Sequence, residues 1–287
     1  MVPAMASKAA LVRAARGATS TMVKVAAAGA DRVRPPAVGV TILIYHRVGA
    51  GTASSVDLSV SLFRRQMAHL AAQGTVITLD AAVARLTAPV PCGEAAQPAV
   101  VITFDDGTSD WVEHAMPVLA DHGLPATFYV ATSFVDECRP WPGGGEAVSW
   151  SGLADMASTG LATIGSHTHA HALLDRVDAS VAAREVDRSA DLIEEKLGRP
   201  CAHFAYPKAL LGSPAAQAAV QRRFTSAALA IGRVNVAGST DPYRLCRTPI
   251  QIADGMRWFQ AKAAGGLRVE GALRERASGS RYADSVT

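Results

Sequence analysis

Short apolar runs rich in β-branched residues recur along this chain, and most of them end in polar residues followed by a stretch with helical spacing. Residues 38–44 deliver Tyr45, His46 and Arg47. Residues 100–104 deliver Asp105, Asp106 and Gly107, residues 162–165 deliver His167, and residues 202–206 deliver Pro207, with a further run over 126–130. Residues 76–79 read as another strand. Between the runs, Phe63, Met67 and Leu70 place a helix over 62–73 that Gly74 stops. Gly123 closes a helix over 111–122, Ser151 reads as the cap of one over 152–158, and residues 179–197 form a long amphipathic pattern. Strands that alternate with helices predict parallel β/α construction, and a barrel of this kind carries its chemistry at the C-terminal ends of its strands. His46, Asp105, Asp106, His167 and Pro207 all fall at such ends.

With 287 residues, 49% of them apolar, the chain is long enough to bury the core of one α/β barrel. The net charge of +3 is scattered without basic stripes, so nucleic acid is not an expected partner. Cys92, Cys138, Cys201 and Cys246 are too widely separated for a zinc knuckle or a redox Cys-x-x-Cys. Residues 1–37 form an Ala-rich basic segment with no acidic residue before Asp31. Polar residues interrupt it too often for a secretory signal or a spanning helix. A frayed leader is expected there, or alternatively a basic helix making peripheral contact with an anionic membrane surface. The cytoplasm, or its membrane face, is the favoured location, with export left open. The β/α units run over residues 38–258, taken as the folded domain, and 259–287 form a charged tail, expected to be poorly ordered from Gly265. Prolines and glycines mark loops over 89–98 and 140–145, the second placed to cover a cleft.

Two adjacent carboxylates raise one another's pKa unless a cation or a proton relieves the repulsion. Asp105 and Asp106 therefore suit a metal-bound carboxylate beside a carboxylate base. His167, His169 and His171 supply imidazoles, and His167 with His171 gives a His-x-x-x-His spacing. One carboxylate with two imidazoles leaves coordination positions open, as in hydrolytic zinc sites. On spacing alone His169 is interchangeable with either neighbour. Trp111, Trp141 and Trp150 read equally as core or as stacking platforms for a ligand.

Thr103-Phe104-Asp105-Asp106-Gly107, then His167 to His171, then Phe204-Ala205-Tyr206-Pro207 resemble, in that order, the motifs of the polysaccharide deacetylase family with its NodB homology domain. The resemblance implies an irregular, seven-stranded β/α barrel that removes acetyl from N-acetylated sugars with a divalent metal, most often Zn2+, with Co2+, Ni2+ or Mn2+ as alternatives. It implies Asp105 as catalytic base, and Asp106, His167 and His171 as ligands. Tyr45-His46-Arg47 resembles the exopolysaccharide, or poly-N-acetylglucosamine, branch and implies His46 as general acid, since no histidine follows His203. The third motif departs from the family's Arg-x-Pro-Tyr: Ala205 stands for the arginine and Lys208 follows the proline. The resemblance places an oxyanion-binding backbone N–H at Lys208, with Tyr206 and Pro207 beside the substrate. Arg247 is the candidate substitute for the missing arginine. Two other functions stay in view: hydrolysis of a small amide or cyclic ureide on the same fold, and carbohydrate binding without catalysis.

Overall fold

The computed structural model describes residues 8–89 and 97–273. Seven strands, β1 (Val40–Tyr45), β2 (Ala99–Asp106), β3 (Ala126–Val130), β4 (Ala162–Ser166), β5 (His203–Ala205), β6 (Ser226–Leu229) and β7 (Leu245–Pro249), close into a barrel in chain order. Every pairing is parallel, and β7 returns to β1 with Ile42 opposite Arg247. All residues of β1 and β3 are buried, as expected of strands covered on both faces. Period-two alternation then sorts side chains between two cores. Val101, Tyr129, Ala205, Ala228 and Leu245 cluster inside the barrel. Ile102, Phe104, Phe128 and Phe204 pack outward against the helices. Asp105, two residues beyond Thr103 and four beyond Val101, belongs to the inward series.

The helices are α1 (Lys8–Val33), α2 (Val60–Gln73), α3 (Leu79–Thr87), α4 (Met116–Asp121), α5 (Thr132–Asp136), α6 (Trp150–Ser158), α7 (Ala179–Leu197), α8 (Pro214–Arg223) and α9 (Arg257–Ala263). Leu79, Ala82 and Leu86 of α3 join the interior cluster, so this helix closes the end of the barrel where the strands begin. Among the described residues no helix is long and apolar enough to cross a membrane.

Several expectations need correction. Residues 76–79 do not form a strand: Val76 makes a single bridge to Val100, and Thr78 instead caps α3 by accepting a hydrogen bond from the Ala81 N–H. The same short apolar run suits a strand or a helix start, and the cap decides. The helix placed over 111–122 is a π-helical turn, Trp111–Ala115, running into α4. The cap of α6 is Ser149 rather than Ser151; its Oγ accepts from the Gly152 N–H at 3.0 Å. Residues 8–33 are helical rather than frayed. Ala27 is buried with Trp258 and Leu267, and Lys24 donates to Asp254 at 2.6 Å. Of the tail after Gly265, residues 266–273 are packed, with Leu267 and Glu270 buried, and residues 274–287 lie outside the described residues. These contacts join residues more than two hundred positions apart, which local pattern does not reveal. Of the loop over 89–98, residues 90–96, Cys92 included, lie outside the described residues.

Candidate active site

β2 carries its last two residues to the mouth of the barrel, where their environments diverge. Asp105 is 5% exposed, and Arg247 of β7 grips both of its oxygens, Nη1 to Oδ1 at 2.6 Å and Nη2 to Oδ2 at 2.8 Å. The guanidinium is itself held. Its Nη1 donates to Thr103 Oγ1 at 3.1 Å, and that hydroxyl donates to the Leu43 carbonyl at 2.7 Å. The face of Tyr129 lies 5.0 Å from the guanidinium carbon. Room for this arrangement comes from Ala205 and Ala228, small residues pointing into the same interior. Burial pushes the Asp105 carboxyl up. The charge of Arg247, then His167, the Arg247 hydrogen bonds and His46 pull it down further, to about 2. Arg247, the candidate substitute for the arginine missing from the third motif, thus pairs directly with Asp105.

Asp106 has φ 94° and turns to the rim. Its Oδ1 lies 3.8 Å from His171 Nε2 and 4.0 Å from His167 Nε2. Those separations are too long for hydrogen bonds. They suit three donors facing one ion: one ligand atom from each of Asp106, His167 and His171 lies within 4.8 Å of the others. His167 Nδ1 sits 2.8 Å from the Ala205 carbonyl, so that nitrogen carries the proton and Nε2 is left as a donor to a cation. Burial lowers the pKa of His167; burial and then the neighbouring His167 lower that of His171 to about 3. Both imidazoles are therefore neutral at ordinary pH, the form a metal requires. The donor set fits a divalent cation such as zinc.

The loop after β4 explains why these two histidines, and not His169, face Asp106. Thr168 and His171 adopt positive φ, 65° and 58°, so the segment breaks from the regular alternation of a strand. His169 points the other way and hydrogen-bonds Thr132 Oγ1 through Nδ1 at 2.9 Å, while the Ala170 N–H donates to Glu185 of α7. His169 is outside the ligand cluster. Backbone strain is concentrated at this end of the barrel. Of seven non-glycine residues with positive φ among the described ones, five are Asp106, Thr168, His171, Lys208 and Ala209.

The other expected residues fall as follows. His46 follows β1 with its Nδ1 buried and without a hydrogen-bond partner, within electrostatic reach of Asp105. Lys208 lies close enough to influence His171. Tyr206 is 1% exposed and packs edge-on against Phe204, and Pro207 is buried, so both shape the turn that presents Lys208. Trp111 is core. Trp150 is partly buried and donates to Asp136. Trp141, from the glycine-rich loop, stacks on Phe134 and meets the His171 ring edge-on at 5.4 Å. Arg47 lies closer to the site than its sequence indicates, 3.7 Å from Asp106. Its place in Tyr45-His46-Arg47 was the available signal.

Residues 93–227 match the family model described as polysaccharide deacetylase. No curated protein matches the chain in sequence. Among solved structures, IcaB from Ammonifex degensii is 26% identical with a TM-score of 0.64, the match covering 79% of this chain and 99% of that one. The deacetylase PplD from Streptococcus pyogenes is 19% identical, with a TM-score of 0.67 over 79% of this chain and 98% of its own. A de-N-acetylase from Aggregatibacter actinomycetemcomitans is 19% identical, with a TM-score of 0.61 over 78% of this chain and 99% of its own. The last two speak for the fold, and the family match spans both carboxylates, the histidine loop and the third motif. Over residues 93–227 this chain is similar to the polysaccharide deacetylases.

Proposed function

We propose that the protein is a metal-dependent N-deacetylase that hydrolyses the acetamide of an N-acetylhexosamine-containing polysaccharide or glycan precursor and releases acetate. The observation that carries this reading is the division of labour between two adjacent carboxylates. Asp105 is locked to Arg247 within electrostatic reach of His167 and His46, while Asp106 faces His167 and His171. An amide resists attack by neutral water, so the site must supply a nucleophile, a place for oxyanion charge and a proton for the amine. Asp106, His167 and His171 would hold a divalent cation, which would supply Lewis acidity to the acetyl carbonyl and to water, whose pKa such an ion lowers toward about 7. Asp105, ionised throughout the working pH range, accepts the proton of the attacking water. The backbone N–H of Lys208, in a turn with φ 54°, is the candidate donor to the oxyanion. His46, across from Asp105, delivers a proton to the departing nitrogen. Base and acid are separate groups, so a bell-shaped pH dependence is expected.

The match of residues 93–227 to the polysaccharide deacetylase model supports a polymeric sugar substrate over a small amide or ureide. The intact Asp105–Arg247 pair supports catalysis over binding alone. The test is acetate release from N-acetylglucosamine oligomers by chelator-stripped protein, before and after zinc or cobalt is returned. Turnover that appears only with metal is the expected result. Glycan binding with no turnover under either condition would leave the binding reading in its place.

A further inference from the structure

Arg47 takes no part in the steps above, yet it is 5% exposed and its charge is permanent. A guanidinium taken out of water is expensive unless it is well paired. This one is not: its Nη2 lies 3.7 Å from Asp106 Oδ2, and its Nε is buried with no hydrogen-bond partner. Such a contact is a poor way to stabilise a fold, so the position calls for another explanation.

The backbone that carries the side chain is nonetheless held firmly. On one side of it the Trp111 Nε1–H donates to the His46 carbonyl at 2.7 Å, and on the other the Val48 N–H donates to Asp110 Oδ2 at 2.6 Å. The Arg47 N–H itself donates to the Val56 carbonyl at 3.2 Å. The glycine-rich loop then presses from above. A Cβ at Gly145 would stand 3.2 Å from Arg47 Nε, so the guanidinium has little room to swing toward that loop. The outcome is an Asp106 carboxylate whose two oxygens face different partners, Oδ1 the imidazoles of His167 and His171, Oδ2 Arg47.

We infer that Arg47 is a positioning residue whose guanidinium holds Oδ2 of Asp106, so that the carboxylate presents Oδ1 alone to a cation bound with His167 and His171. The inference rests on the metal site proposed above. Single-oxygen ligation leaves coordination positions open for water and for the acetyl oxygen; a carboxylate free to turn can offer both oxygens and close one of them, or rotate out of the set.

The test uses the full chain, stripped with chelator, titrated with zinc against a chromophoric competitor and, separately, loaded with Co(II) for its visible absorption spectrum. Arg47→Met keeps the apolar stem without stranding a charge. It is expected to weaken zinc binding about 10- to 100-fold, the usual cost of losing a group that orients a metal ligand, and to change the Co(II) bands. Arg47→Lys, which restores a cation, is expected to recover part of the affinity. Arg47→Gln serves as the second variant should Arg47→Met not fold, with the same loss expected. Zinc affinity equal to or tighter than wild type with unaltered Co(II) bands in a folded variant overturns the inference, because a merely repulsive neighbouring cation gives that sign. Wild-type protein that binds neither zinc nor Co(II) overturns the metal site itself, a separate outcome.

Discussion

The barrel buries a histidine at each end, and the two are opposites. His203, at the end where the strands begin, has both ring nitrogens engaged, Nδ1 with Ser226 Oγ at 2.9 Å and Nε2 with Asp80 at 3.1 Å. His167, at the end where the strands finish, engages Nδ1 with a backbone carbonyl and leaves Nε2 facing Asp106 and His171. Serine, histidine and aspartate at the first end have the composition of a catalytic triad. Ser226 is fully buried, however, so its hydroxyl can meet no substrate, and the trio instead ties α3 to the barrel. Burial of a histidine therefore says little about function. What separates the two is a donor atom left uncommitted and aimed at others of the same kind.

The comparison breaks most readily on metal. His167→Ala should abolish tight zinc binding and lower acetate release by about 10³-fold or more, whereas His203→Ala should leave zinc binding and turnover near wild type. Its cost is expected in stability, about 1–3 kcal/mol from an unpaired buried hydroxyl, read by denaturant titration. Equal loss of zinc in both proteins would erase the distinction.

A second prediction sharpens the contrast between buried carboxylates. Asp105 and Asp254 are both held low, the first by Arg247 and the second by Lys262 and Lys24, each against the upward push of burial. Only Asp105 opens toward the histidines. Removing Arg247 as Arg247→Met strands a buried carboxylate, which typically costs about 3–5 kcal/mol, and raises the pKa of Asp105. The acid limb of the rate profile should then move to higher pH. The sign of the stability effect follows from the depressed folded value. Asp105 contributes fully above its unfolded pKa, near 3.8, and that contribution is lost as pH falls toward about 2. An unmoved acid limb in a folded Arg247→Met protein would remove Asp105 from the role of base.

The smallest expected effect is at the far end. The His203 hydrogen bond lowers the pKa of Asp80, so its contribution is present above the unfolded carboxylate value and fades as pH falls through the folded one. Because Asp80 is largely exposed, Asp80→Asn should cost no more than about 1 kcal/mol and leave turnover untouched. A large drop in turnover would show that the two ends of the barrel communicate.

Much of the site was legible before any coordinates, because its information is local. Strand ends announce themselves by a change from β-branched to polar residues, and Asp105, Asp106, His167 and His171 each stand within a few residues of such a change. The choice between His169 and His171 was not legible in the spacing, and only the family resemblance pointed to His171. It depends on positive φ at Thr168 and His171 and on anchors from α5 and α7, through Thr132 and Glu185. The packing of α1 was hidden for a related reason: Lys24 looks like any surface lysine until Asp254 is brought to it.

The residue order alone determined that this chain builds parallel β/α units and sets carboxylates and imidazoles at their C-terminal edges, since hydrophobic period and turn chemistry act over a few positions. Only closure of the barrel decided which groups meet. Pairing β7 with β1 carries Arg247 across 142 positions to Asp105, in an interior that also holds the small residues Ala205 and Ala228, and pairing β1 with β2 sets Arg47 beside Asp106. Electrostatic partnership depends on distance in space, and distance in space is fixed by strand register rather than by separation along the chain.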